Sequence, residues 1–227
     1  MNLLAIDSAS SILSVAVSRA DEIHSAQTQA GTKHSELVME LIDSQMKKAR
    51  LSPHDLDGVL CTGGPGSFTG LRIGYSIAKG LALSLSIPFA AIPTLDCMAF
   101  PCRNSGLVLA AIEARKNTFF YAFYRGEKLE SNHNEDAQAS RIAVEIGRYE
   151  EKIILTGTGA ASLYNSLPCE TKKSVELDLQ NRVYSGELIS IAKVRKIMDN
   201  DNTAFLYSGP EYSRKTDAEL NLLNAGN

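Results

Sequence analysis

This 227-residue chain has no surplus of positive charge: 23 Lys and Arg stand against 26 Asp and Glu, for a net charge of −3. Gripping nucleic acid unaided needs a concentrated basic surface. The basic pairs here, such as Arg115-Lys116, Lys172-Lys173 and Arg214-Lys215, are scattered and diluted by acids. No apolar run reaches the ~18 residues of a membrane span. The first residues enter a strand pattern directly, without the basic and apolar segments of a secretion signal. The four cysteines, at 61, 97, 102 and 169, share no zinc-type spacing, and Cys61 and Cys97 sit in the apolar contexts of buried thiols. A cytoplasmic protein with no membrane contact is the expectation. The dispersed histidines 24, 34, 54 and 133 supply no metal motif and no Ser/His/Asp arrangement. Missing too are the Gly-Lys-Ser/Thr of a Walker loop and the G-x-G-x-x-G dinucleotide turn.

What the chain does have is a glycine-rich stretch, Cys61-Thr62-Gly63-Gly64-Pro65-Gly66-Ser67-Phe68-Thr69-Gly70-Leu71-Arg72-Ile73-Gly74. It follows the short apolar strand pattern Gly58 to Cys61 and precedes a helix expected from about Leu71 to Leu85, with Ser67 or Thr69 as its cap. Strand, glycine loop and helix N-terminus together can hold an anion such as phosphate. The same sequence also serves as a tight turn that binds nothing, and spacing alone does not separate the two readings. Along the helix Gly70, Gly74, Ala78 and Ala82 recur at steps of four, a smooth ridge that lets a strand, a helix or a second subunit come close.

In chain order, Leu3 to Ile6 reads as a buried strand ending at Asp7-Ser8-Ala9, with antiparallel partners at Ile12 to Ser18 and Glu22 to Thr28. A helix opened by Thr32 or Ser35 should run to about Arg50. Its apolar residues Leu37, Val38, Met39, Leu41, Ile42, Met46 and Ala49 span an arc of about 200° at 100° per residue, more than one sheet contact requires. His34 at its start reads as a capping or interface residue. Phe89 to Ile92 returns as a strand, and Thr94 can cap the short helix after it. Arg103-Asn104-Ser105-Gly106 is the first linker-like break, which divides the chain into lobes 1–104 and 105–227, with the last residues packing back on the first lobe. The second lobe repeats the strand-hairpin opening, with strands at Leu107 to Ile112 and Thr118 to Tyr124 joined by a turn over 113–117. A polar loop over 131–137, a helix over Ser140 to Gly147, strand Ile153 to Thr156, a glycine turn at Gly157-Thr158-Gly159 and a helix from Gly186 to Met198 follow.

An acid ending a buried strand before a small-residue hairpin resembles the opening of the actin, sugar-kinase and heat-shock-chaperone ATPases, although those usually have glycine where Ala9 stands. More specifically, the sequence resembles the bacterial TsaB (YeaZ) family. The residues that carry this are Ile6-Asp7-Ser8-Ala9, His34-Ser35-Glu36-Leu37, the loop Gly63 to Gly74, Ala111-Ile112-Glu113-Ala114-Arg115 and Pro210-x-Tyr212-x-Arg214. The family commonly has Asp at the position of Glu113. The resemblance implies an α/β, two-lobed actin-like fold of the ASKHA, ribonuclease H-like type, with mixed five-stranded sheets flanked by helices and a reduced second lobe. It implies a role in making tRNA threonylcarbamoyladenosine as a non-catalytic partner of the paralogue TsaD, joined by the ATPase TsaE. A homodimer forms when the chain is alone, and tRNA is met only through the complex. The paralogue's H-x-x-x-H metal ligands correspond here to Thr94 and Met98, poor ligands for a divalent metal, so no metal, cofactor or catalytic residue is expected. The expected partner interface comprises His34, Leu37, Val38, Leu41, Ile42, Leu71, Gly74, Tyr75 and Ala78. A vestigial nucleotide site would use Asp7, Ser8, Gly64, Gly66 and Ser67. The alternatives are an ATP-dependent phosphotransferase and, less favoured, a metallopeptidase-like protein.

Overall fold

The run Leu3-Leu4-Ala5-Ile6 is apolar on both faces of the pleat, so it can only be the middle of a sheet covered on both sides. It forms β1 (Leu3–Asp7), with all four of these residues fully buried. The fold is taken from a computed structural model that describes residues 1–132, 136–178, 180, 182–199 and 209. The hairpin strands β2 (Ile12–Arg19) and β3 (Glu22–Gln29) follow, then α1 (His34–Ala49). Next come β4 (Gly58–Thr62), α2 (Phe68–Leu85), β5 (Phe89–Ile92) and α3 (Thr94–Ala99). The five strands form one sheet in the order β3-β2-β1-β4-β5, antiparallel from β3 to β1 and parallel from β1 to β5.

A second sheet is built by β6 (Leu107–Arg115), β7 (Thr118–Arg125), β8 (Lys128–Asn132) and β9 (Ala137–Gln138). After α4 (Ala139–Ile146) it is completed by β10 (Ile153–Thr156) and, beyond α5 (Ala160–Ser166) and α6 (Cys169–Lys172), by β11 (Val175–Leu177). Its order, β8-β7-β6-β10-β11 with β9 beside β7, repeats the order of the first sheet strand for strand. The reduction of the second lobe lies in its helices: α4 and α5 have 8 and 7 residues, where α1 and α2 have 16 and 18. The last helix is α7 (Tyr184–Val194).

Several local expectations are corrected. α2 begins at Phe68, not Leu71, because the Ser67 hydroxyl accepts the Gly70 N–H at 3.2 Å and so closes the first turn earlier. Neither Thr32 nor Ser35 caps α1, which starts after Lys33 without a side-chain cap. Strand β6 runs on to Arg115 through a bulge, so the turn shrinks to Lys116 and Asn117, the latter at φ 64°. Polar Lys128–Asn132, assigned in part to a loop, becomes edge strand β8, held by main-chain pairing with β7 and not by any apolar face. α7 begins at Tyr184 and stops at Val194. The motif Pro210-x-Tyr212-x-Arg214 and the expected packing of the last residues lie outside the described residues.

The helices between the sheets are exchanged. α1 and α2 cover one face of the first sheet. Its other face, formed by Leu3, Ala5, Leu60, Ala90 and Ile92, is covered by Leu188, Ile189, Ile191 and Ala192 of α7. In return α3, which follows β5, lays Leu95, Met98 and Ala99 on Val108, Ala110, Ile112 and Ala122 of the second sheet. Residues 1–104 taken as a unit therefore lack the cover for one whole sheet face. Expressed alone they are expected to show no cooperative unfolding transition in urea, and co-expression with 105–227 is expected to restore one. A soluble 1–104 fragment with a sharp transition would contradict this dependence.

Candidate functional site

The glycine loop of residues 63–67 turns inward. The Gly63 N–H donates to the Ile92 carbonyl at 2.7 Å and the Ser67 N–H to the Ala9 carbonyl at 2.7 Å. The Gly64 N–H donates to Thr94 Oγ1 at 3.2 Å, while the Thr94 N–H donates to the Gly64 carbonyl at 2.7 Å. Thr94 therefore does not cap α3, which follows Pro93 without a side-chain cap; it staples the loop. Amides used in this way are not free to hold phosphate, and the geometry matches the tight-turn reading.

The glycine ridge has an equally internal purpose. A Cβ on Gly66 would meet the Ala9 carbonyl oxygen at 2.5 Å, one on Gly70 would strike the Ser8 carbonyl, and one on Gly74 would strike the Ser8 hydroxyl. The Ser8 hydroxyl donates to the Gly70 carbonyl at 2.8 Å, fastening the end of β1 to α2. Thus Ser8 and Ser67 are turned onto Gly70, Gly66 onto Ala9 and Gly64 onto Thr94. The second lobe repeats the device at Gly157 and Gly159, which press on Ala111, Ile112 and Glu113.

Of the suggested nucleotide residues, Asp7 lines a cleft between the two lobes. This cleft of about 350 Å³ is lined from the first lobe by Asp7, Ser10 and Ser14 and from the second by Gly157 and Thr158, with Asp178, Arg182 and Tyr184 closing it. Burial raises the Asp7 carboxyl to about 6, against the lowering effects of the Ala9 N–H at 3.1 Å, the Thr62 hydroxyl and His34. His34 is buried and its Nε2–H donates to the Ser10 carbonyl at 2.9 Å, so it ties α1 to the hairpin beside Asp7. Across the cleft, burial opposes ionisation of Asp178, but Arg182, the Gln180 N–H, Cys102 and Thr156 together hold its carboxyl below the usual range. Arg182 reaches Asp178 Oδ2 at 2.9 Å, and the Cys102 thiol, pushed up to about 11 mainly by burial, donates to the same oxygen at 3.2 Å. The cleft thus sets two carboxyls against one guanidinium that is already paired. Asp178 and Arg182 were not expected from the sequence, since nothing local marks them, and Thr158, within the expected glycine turn, shares the cleft with Asp7 only through the fold.

Of the expected interface residues, His34, Val38, Ile42, Leu71, Gly74, Tyr75 and Ala78 are buried within the chain's own first lobe. Leu37 and Leu41 are half-buried, as is the row Ile73, Ile77 and Leu81 on α2, and all pack on the same core. Met39 (51% exposed) and Leu83 (62% exposed) project outward from the same two helices. Thr94 and Met98 are both buried, Met98 against the second sheet. Among the described residues no group of three or more His, Cys, Asp or Glu side chains could hold a metal ion, and no helix is long and apolar enough to cross a membrane.

Two outcomes follow from this geometry. Gly70→Ala should destabilise the chain severely, by about 3 kcal/mol or more in urea denaturation, because a methyl must displace main chain. For Asp7, the unfolded carboxyl titrates near 3.8 and the folded one near 6, so the native state binds the extra proton between those values. Stability therefore falls as pH rises from about 4 to about 6, by up to roughly 3 kcal/mol, and is flat above. The stability difference between wild type and Asp7→Asn should shrink or reverse through that window; a constant difference would show that Asp7 titrates normally.

Residues 13–222 match the family described as TsaD: tRNA N6-adenosine threonylcarbamoyltransferase. The tRNA threonylcarbamoyladenosine biosynthesis protein TsaB of Haemophilus influenzae is 29% identical over 208 residues, covering 86% of this chain and 88% of that protein. The TsaB of Buchnera aphidicola subsp. Schizaphis graminum is 31% identical over 184 residues, covering 75% and 86%. Among solved structures, an uncharacterized protein from Pseudomonas aeruginosa with similarity to peptidase YEAZ superposes with a TM-score of 0.78 at 22% identity, covering 94% of this chain and 99% of that one. The repeated sheet order and the exchanged helices agree with a two-lobed actin-like fold. With this fold, and with sequence matches along most of its length, the chain belongs to the TsaB (YeaZ) family.

Proposed function

We propose that this chain is a non-catalytic partner of a TsaD-type enzyme in the synthesis of tRNA threonylcarbamoyladenosine. The names of its relatives supply the pathway. The observation that carries the non-catalytic reading is the charge of the cleft: among the described residues its one lining cation, Arg182, is paired with Asp178, and Asp7 adds a second carboxyl. A nucleoside triphosphate would meet net negative charge there, and the loop amides of Gly63, Gly64 and Ser67 are bonded within the chain. One observation favours a phosphotransferase instead, namely the cavity-facing Asp7 with its carboxyl near 6, in the range of a general base.

Partner docking is assigned to the outward side of α1 and α2. Leu37, Leu41, Ile73, Ile77 and Leu81 contribute their uncovered edges. An apolar strip of this kind marks an interaction surface. A TsaD-type paralogue and a second copy of this chain are both suited to it, since each would bring a helix pair of similar shape. On this reading the two pairings compete, tRNA is met through the complex, and a TsaE-type ATPase joins the pair.

The chain alone should hydrolyse no ATP and transfer no threonylcarbamoyl to tRNA; adding TsaD-type and TsaE-type proteins should produce transfer. Turnover by the isolated chain that Asp7→Ala abolishes would establish the phosphotransferase reading instead. Leu37→Glu with Leu41→Glu should weaken both self-association and partner binding at least tenfold in sedimentation and pull-down, with unchanged circular dichroism. Retained binding in that folded variant would place the partner on another face.

A further inference from the structure

We propose that Asp96, Tyr124, Glu127 and Arg195 form a polar lock that holds the two lobes at one fixed separation. α7 packs on the first sheet, while α3 lays Leu95, Met98 and Ala99 on the second sheet and turns Cys97 to the first sheet and α7. Asp96 sits on α3 and Tyr124 on β7, and the Tyr124 hydroxyl donates to Asp96 Oδ1 at 2.7 Å. Arg195, immediately after α7, reaches back to Asp96 Oδ2 through Nη1–H at 2.7 Å. Its Nε–H donates to Glu127 Oε2, in the β7–β8 turn, at 3.3 Å. One guanidinium beside the first sheet's α7 is therefore bonded to a carboxylate on α3, between the sheets, and to a second carboxylate on the β7–β8 turn of the second sheet.

The placement suits a lock. The side chains of Asp96 and Arg195 are 15% and 28% exposed, so solvent screens the pair weakly. Charge-assisted bonds are stronger than neutral ones, and a shared network loses more than one bond when a member leaves. Separating Arg195 from Asp96 would leave that carboxylate beside the Tyr124 hydroxyl without its cation. The other crossing of the chain between the bodies, the link from β11 to α7, is pinned as well, by Arg182 on Asp178 at 2.9 Å. Such a tie leaves fewer backbone positions free to absorb a hinge motion. The outward faces of the two lobes then keep a single mutual orientation, with or without a partner.

The test reads the distance between the lobes. Spin labels placed on cysteines at Lys48 and Lys173, in a Cys169→Ser background diluted with unlabelled chain, report one intramolecular distance. Wild type should give one narrow distribution that Mg-ATP leaves unchanged. Arg195→Ala should at least double its width and speed hydrogen exchange of the α7 amides at least tenfold, and Tyr124→Phe, which removes one hydroxyl, should produce a smaller change in the same direction. Should Arg195→Ala not fold, Arg195→Lys, which keeps the charge and loses the fork, should widen the distribution to a lesser degree. A broad or two-peaked distribution in wild type, or unchanged width and exchange in the folded Arg195 variant, overturns the lock. All readings are made on the chain by itself, so they stand or fall separately from its role with a partner.

Discussion

The burial of β1 on both faces is the constraint from which the rest of the molecule follows. Leu3, Leu4, Ala5 and Ile6 are all fully buried, so cover must come from two sides. One side is close in sequence, since α1 and α2 flank β4 and pack on Leu4 and Ile6. The other side is α7, which the chain supplies only after the second sheet has been completed. Long-range closure of this kind makes the two lobes one cooperative structure, because neither apolar face can be left in water. It also leaves α1 and α2 as an outer layer on the first sheet.

Close approach by glycine is the second recurring element. In the first lobe Gly66, Gly70 and Gly74 bring α2 onto the hairpin at Ser8 and Ala9, and in the second Gly157 and Gly159 bring α5 onto β6. Each places a strand-to-helix turn against the opening hairpin of its own sheet. The consequence for chemistry is subtractive. Amides of the first loop are spent on Ala9, Ile92 and Thr94, so the motif that looks most like a phosphate cradle fixes the fold around the cleft. What remains facing the cavity is Asp7, held near neutrality by its own burial, and the Asp178–Arg182 pair.

Thr94 shows how these elements join. In the resemblance to the catalytic paralogue it marks a lost metal ligand, while in the structure its hydroxyl and N–H bond both sides of Gly64. A side chain that would be idle at a metal site has a local purpose, tying the start of α3 to the loop that precedes α2. Loop, hairpin and exchanged helix then form one continuous packed unit around the cleft.

The sequence by itself determined the strand-hairpin opening of both lobes, the glycine turn and the apolar length of α1. These depend on periodicity and on residues that few backbone conformations accept, which are local properties. It also carried the family, through motifs spread along the chain. It did not show which neighbour the Gly70–Gly74 ridge meets, because a side-chain-free stripe is compatible with a strand, a helix or a second subunit. The edge strand β8 was hidden for another reason: Lys128–Asn132 has no apolar face, and only pairing with β7 makes it a strand. The cleft pair Asp178–Arg182 and the Asp96–Tyr124–Arg195 contacts join residues up to 99 positions apart, as Arg195 and Asp96 are. Tertiary structure alone decided these, because hydrogen bonds and ion pairs depend on distances between side chains that no local pattern encodes.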